Sequence, residues 1–311
     1  MNDVLYGLDL FGASTKPKAA GVVAERFGIP PFTILDAKQG EWQERKRAWI
    51  SLGIRSECGR TSEAFGFSDS LLTRQGGYFD DDGTKRPTAD TSVFDPVVCE
   101  LAYRWFSPVG GQVVDPFAVG SVRGIVAGAL GRKYWGCDLR TEQIAANRAQ
   151  AEDIEIAISP EWVCGDSMET LADAPDADFV FSCPPYGDLE KYSDDPADLS
   201  SMEWHTFAAA YSRIILRAVA KLKPNSFACF VVGDFRDNKG FYRNFVSKTI
   251  EAFEDCGARL YNEAILATSV GSAAMRVTKQ FDASRKMAKT HQNVLVFVKG
   301  DPRKAAARCS E

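Results

Sequence analysis

QVVDPFAVGSVRG (Gln112–Gly124) runs from an apolar, β-branched triplet into an acid, a proline and a turn of small residues. It continues into a segment with helical spacing of apolar residues, VRGIVAGAL. In an open α/β sheet, ligands bind at the carboxyl edge of the strands, and this stretch places Asp115 and a small-residue turn at such an edge. Gly120 lets a backbone approach a ligand closely, and the following helix N-terminus offers unpaired N–H groups. A tight strand-to-helix turn without a ligand would read the same way, so the segment needs support from its surroundings.

The surroundings repeat the pattern. KYWGCDL (Lys133–Leu139) reads as a second strand and ends in Asp138, about 20 residues further along, where an acid can accept both hydroxyls of a ribose. EWVCGDS (Glu161–Ser167) is a third, ending in Asp166, which is suited to accept from an adenine amino group; ADFVFSC (Ala177–Cys183) is a fourth. Helix-like runs lie between them, with Thr141 as a candidate N-cap for EQIAANRAQA and Ser200 with Glu203 as a candidate capping box for a long helix ending before Pro224. SFACFVVGD is a strand, FVSKTIEAFEDCG a helix stopped by Gly257, and LYNEAILATS with HQNVLVFVKG a late hairpin interrupted by about 20 mostly polar residues. This alternation predicts a parallel sheet covered on both faces. Neither G-x-G-x-x-G nor G-x-x-x-x-G-K-[ST] occurs, so three acids at successive strand ends outline a site for an adenosine carrying something other than phosphate.

The chain of 311 residues changes texture near residue 90. The expectation is an N-terminal extension over 1–90, an α/β domain over 91–300 with a basic insertion at 268–290, and a flexible tail over 301–311. The formal net charge of −5 means that any nucleic-acid contact must come from local patches. Eight cysteines without a C-x-x-C pair, and only two histidines, fit neither a disulfide framework nor a metal site. A start without a basic, apolar leader and the lack of a long apolar run predict a reduced, cytoplasmic protein with no membrane partner.

FSCPPY (Phe181–Tyr186) ends the fourth strand in two prolines and an aromatic ring. Neither proline offers an N–H, and together they fix the backbone so that the Cys183 carbonyl points into a cleft. Tyr186 supplies a flat surface for a planar substrate. Fixed acceptors and a stacking ring are what an exocyclic amine requires, because its lone pair is delocalised until acceptors take its hydrogens.

DPFAVGSVRG, the CDL strand end, GDS and CPPY, in that order, resemble the amino-group DNA methyltransferases that use S-adenosylmethionine, whose motifs are D-P-F-x-G-S-G-T and [DNS]-P-P-[YFW]. The resemblance covers roughly residues 90 to 300. It implies a Rossmann-like methyltransferase fold: a mixed, mostly parallel seven-stranded sheet with helices on both faces. It further implies that Asp115, Pro116, Phe117, Ala118, Gly120 and Ser121 border the cofactor's methionine end, that Asp138 and Leu139 meet the ribose, and that Asp166 and Ser167 meet the adenine. Thr91, Ser92 and Asp95 would hold the amino-acid tail. Cys183, Pro184, Pro185 and Tyr186 would hold a base flipped from DNA, with methylation at N4 of cytosine or N6 of adenine.

Two positions depart from the family pattern. The first glycine of the cofactor turn is Val119, and a β-branched residue resists positive φ. The first catalytic position is Cys183, whose sulfur accepts hydrogen bonds weakly. Three readings of it stay open: the carbonyls of Cys183 and Pro184 hold the amine; Ser182 substitutes for the side chain; or Cys183 attacks a pyrimidine ring and methylation falls on carbon 5. RNA or protein-amide methylation, or a fold that binds DNA without turnover, are the remaining alternatives. Two basic stretches are candidate DNA contacts. One holds Arg276, Lys279, Arg285, Lys286 and Lys289 in the late excursion. The other holds Arg45, Lys46 and Arg47 between Trp42 and Trp49, and it equally reads as a helix packing its tryptophans on the domain.

Overall fold

The computed structural model describes residues 27–54, 94–187, 193, 195–268 and 273–310, the side chains of 273–276 excepted. Its strands are β1 (Ile34–Asp36), β2 (Gln112–Asp115), β3 (Lys133–Asp138), β4 (Glu161–Cys164), β5 (Ala177–Ser182), β6 (Leu222–Val232), β7 (Arg259–Ala267) and β8 (His291–Lys299). Among the described residues the helices are α1 (Gly40–Ser51), α2 (Pro96–Phe106), α3 (Val122–Ala129), α4 (Thr141–Glu152), α5 (Ser167–Thr170), α6 (Trp204–Lys221), α7 (Phe245–Glu254), α8 (Ala273–Ser284) and α9 (Pro302–Arg308).

The strands form one sheet in the order β1-β7-β8-β6-β5-β2-β3-β4, in which every pairing is parallel except those of β8 with β6 and β7. Period-two alternation sorts the core into two layers. Val113, Phe179, Phe181, Phe227, Cys229, Val231, Val294 and Val296 face α1 to α4. Val114, Val180, Ala228, Phe230, Val232, Leu295 and Phe297 face α6 and α7. Burial on both faces is why these strands read as continuous apolar runs. The Rossmann-like fold is therefore as expected, with one strand more than the seven foreseen. β1 comes from the N-terminal segment and pairs parallel with β7, Ile34 opposite Ile265; three residues are too few to show a period.

Local expectations fared unevenly. Thr141 is the first helical residue rather than the cap, and Arg140 holds the cap position. No capping box forms at Ser200 and Glu203, because the Asp198 carboxylate takes the Ser200 N–H at 2.8 Å and its hydroxyl at 2.7 Å. Residues 302–308 are helical rather than frayed, with Asp301 capping the N–H groups of Arg303 and Lys304. Arg308 fixes this helix by ion pairing with Asp178 and hydrogen bonding to Ser226.

Candidate active site

The chain reverses its direction of travel across the sheet between β2 and β5: from β2 it winds outward to β3 and β4, then returns to β5 on the other side. That switch point opens a crevice at the strands' carboxyl ends. Asp115 closes β2 directly beneath it and is wholly buried. Its carboxylate accepts from the Phe117 N–H at 3.0 Å, the Ser182 hydroxyl at 2.6 Å, the Tyr134 hydroxyl at 2.7 Å and the Arg123 Nε at 2.6 Å. Asp115 therefore frames the turn from below, both of its oxygens engaged by protein donors. Burial alone would push Arg123 toward its neutral form, but the adjacent carboxylate overrides this and raises its pKa. Arg123 also donates to the carbonyls of Phe117 and Ala118, clamping the turn from below. It was missed in the sequence; its signal was a lone cation within the otherwise apolar VRGIVAGAL.

Above this frame lies a cavity of about 80 Å³, lined among others by Phe117, Val119, Asp138, Asp166, Ser167 and Pro185. Pro116 and Leu139 also line it, and Asp198, Leu199 and Ile214 close it from the α6 side. The Asp138 carboxylate accepts from the Val119 N–H at 3.1 Å and the Arg140 N–H at 2.9 Å. Burial raises its pKa to about 6 despite these bonds. Asp166 caps α5 through the Met168 N–H at 2.8 Å, and the Ser167 hydroxyl donates to the Pro116 carbonyl at 2.6 Å. The other predicted turn residues are less direct. Ala118 and Ser121 are buried, Ser121 donating to Gln150 at 2.5 Å, while a side chain on Gly120 would meet nothing within 4 Å.

Val119 takes a φ of 43°, the left-handed region that a β-branched residue avoids. The surroundings hold it there: its N–H donates to Asp138, and its carbonyl accepts from Asn147 Nδ2 at 2.9 Å.

The Cys183–Tyr186 turn sits at the same edge. Pro185 lines the cavity, Pro184 is buried, and Cys183 and Tyr186 are half-buried. Ser182 is wholly buried and occupied by Asp115, so it does not substitute for Cys183 at the cleft. The Tyr186 ring makes edge contacts with Phe235 and Phe245 at 6.2 and 6.0 Å, and its hydroxyl accepts from Gln292 Nε2 at 2.7 Å.

Several expected contacts fall elsewhere. Arg45 is buried against Glu100 at 2.8 Å, Trp49 donates to the same carboxylate at 2.9 Å, and Lys46 pairs with Asp95 at 3.2 Å. Only Arg47 of that basic trio is exposed, and α1 packs Trp42, Arg45 and Trp49 on the domain. Asp95 caps α2 through the Val97 N–H and accepts from Trp42, roles that compete with holding an amino-acid tail. Thr91, Ser92 and the Arg276 side chain lie outside the described residues. Lys279 and Arg285 are exposed, Arg285 beside Asp282 at 3.8 Å, while Lys286 and Lys289 are half-buried. Among the described residues no cluster of metal-ligating side chains forms, and no helix is long and apolar enough to cross a membrane.

No family model and no curated protein matches the chain. Solved structures share its general course. TrmN from Thermus thermophilus is 14% identical over 66% of this chain with a TM-score of 0.46, and the chain spans about half (49%) of TrmN's length. A TehB-like SAM-dependent methyltransferase from Corynebacterium glutamicum is 16% identical, covering 68% of this chain and 90% of its own, with a TM-score of 0.40. Precorrin-6y C5,15-methyltransferase from Geobacter metallireducens is 16% identical, covering 72% and 97%, with a TM-score of 0.43. Likeness at this level decides neither family nor substrate.

Proposed function

We propose that this protein transfers a methyl group from S-adenosylmethionine to an exocyclic amino nitrogen in DNA, N4 of cytosine or N6 of adenine, with the target base flipped out of the duplex. The observation that carries the reading is that Pro185 of the catalytic turn lines the same cavity as Asp138, Asp166 and Ser167, so an amine held at the turn would border a ligand held by the acids. The donor and acceptor set fits a nucleoside: a carboxylate at the end of β3 for ribose hydroxyls, a second at the end of β4 for an amino group, and Phe117 as an apolar wall. The enclosed part is small, room for a few water molecules, and Val119 is one of its walls. When bound, the cofactor supplies an electrophilic methyl group on a positively charged sulfur.

The chain's own residues have three tasks. Asp138 and Asp166 orient the nucleoside. The rigid Cys183-Pro184-Pro185 backbone offers carbonyls to the amine's hydrogens, localising its lone pair for attack in line. Tyr186, braced by Gln292, backs the target ring. Transfer would form the N–C bond as the S–C bond breaks, its electron pair going to sulfur, and the methylated amine then loses one proton to solvent. Purified protein incubated with methyl-labelled S-adenosylmethionine and, separately, DNA, RNA and a protein mixture should label DNA foremost. Label confined to RNA or protein would overturn the DNA assignment while leaving the cofactor site intact.

A further inference from the structure

Directly after β6, residues 234–244 form a short hairpin absent from every contact expected from the sequence. Arg236 and Tyr242 make an antiparallel bridge, and the Asp237 N–H donates to the Phe241 carbonyl at 2.8 Å. Asp237 Oδ1 accepts from the N–H groups of Lys239 and Phe241, both at 2.9 Å, tightening the turn. Arg236 donates to the Gly240 carbonyl at 2.8 Å and lies 3.8 Å above the Tyr242 ring. This small device is stiff, and its outward side carries Phe241, 71% exposed, with Lys239 and Tyr242 also exposed.

The hairpin is bolted to the catalytic turn. Buried Phe235 at its base contacts the Tyr186 ring, and the Arg243 N–H closes back on the Phe235 carbonyl at 2.9 Å. Among the described residues, two cations on this path have no acidic partner within ion-pair distance. Arg243 lies over the Trp204 ring at 5.2 Å, and its buried Nε has no hydrogen-bond acceptor. Lys289, Tyr186 and Gln292 all border Gly233, each with an atom within 4 Å of where its side chain would begin, and the Lys289 ammonium donates to the neutral Asn293 amide oxygen at 3.3 Å. Burial lowers the Lys289 pKa despite the nearby charges of Asp234 and Glu263, and burial together with Lys289 lowers that of His291. Asp234 is engaged by the Val246 N–H, and Glu263 by the Asn293 amide.

Cations without an acidic partner beside an exposed ring are the makings of a single-strand nucleic-acid surface, where bases stack on aromatics and phosphates meet Lys and Arg. We propose that the path from Lys289 across Gly233 to Arg243, Lys239 and Phe241 binds the strand flanking the target base, with Phe241 stacking on a neighbouring base and the cations meeting phosphates. This rests on the reading of the cleft as one that modifies a base in nucleic acid.

The test is fluorescence anisotropy of a short labelled single-stranded DNA with the full chain and with Phe241→Ala and Lys239→Glu, both at exposed positions, with circular dichroism checking the fold. Phe241→Ala should weaken binding on the order of tenfold, and Lys239→Glu should weaken it and reduce the salt dependence by about one phosphate contact. DNA binding that neither substitution weakens overturns the hairpin's role but leaves the methyl-transfer reading standing. Phe241-dependent binding without methyl transfer to DNA keeps the hairpin's role and sinks that reading. Tighter, Phe241-dependent binding of an RNA of matched sequence keeps the surface and moves the substrate to RNA. Absence of binding to either strand overturns the proposal.

Discussion

Asp138 holds the Val119 turn and faces the cavity at once. Its pKa of about 6 sets a test at the scale of one side chain. The folded value lies above the unfolded one, so this group makes folding less favourable as pH rises from about 4 to 6 without ligand. Ribose hydroxyls stabilise the charged form, so isothermal titration should show cofactor affinity falling as pH drops below about 6, and Asp138→Asn should lose both affinity and this pH dependence. Val119 offers a second test. A left-handed β-branched residue costs about 1–3 kcal/mol, and glycine's greater freedom in the unfolded chain returns part of that. Val119→Gly should therefore raise stability by on the order of 1 kcal/mol in urea denaturation and should not weaken cofactor binding. Cys183 divides the mechanisms. If main-chain carbonyls hold the amine, Cys183→Ser keeps methyl transfer within about threefold; if its sulfur is the nucleophile, activity falls by orders of magnitude.

At the scale of elements, the attachments of α1 and α9 were the least legible parts of the chain. Trp42, Arg45 and Trp49 of α1 carry an amphipathic and a nucleic-acid-binding pattern together. The choice was made by Glu100, an acid on α2 more than fifty residues away that is wholly buried among Arg45, Trp49 and Arg104. Nothing local in either segment states that partnership. Glu100→Ala should cost about 3 kcal/mol or more, because it leaves guanidinium groups buried without their counter-charge. Helix α9 is tied through Arg308 to Asp178, whose pKa is lowered by the Gln112 N–H, Lys223 and Arg308, against the opposing effect of burial. A depressed carboxylate stabilises the fold above its unfolded pKa and loses that contribution as pH falls through the folded value. Thermal melts of Arg308→Ala should therefore show a loss near neutral pH that shrinks below about pH 4.

At the scale of the molecule, the alternation of apolar strands with helices foretold the two-layer cover of the sheet, because burial on both faces writes itself into each strand as a continuous apolar run. The crevice was legible for a related reason: Asp115, Asp138, Asp166 and the Pro184-Pro185 pair all sit at strand ends, where local chemistry and tertiary position coincide. What stayed hidden depends on distant pairing: the burial of Asp115 by Arg123 and Ser182, the three-residue β1, and the hairpin beside Tyr186. All of it converges on one cleft, where the proposed function places a cofactor beside an amine. The most direct measurement is digestion of DNA to nucleosides after incubation with the protein and methyl-labelled S-adenosylmethionine, followed by mass spectrometry. The account predicts label in N4-methylcytosine or N6-methyladenine. Label in 5-methylcytosine, or none in DNA that the protein binds together with the cofactor, would contradict it.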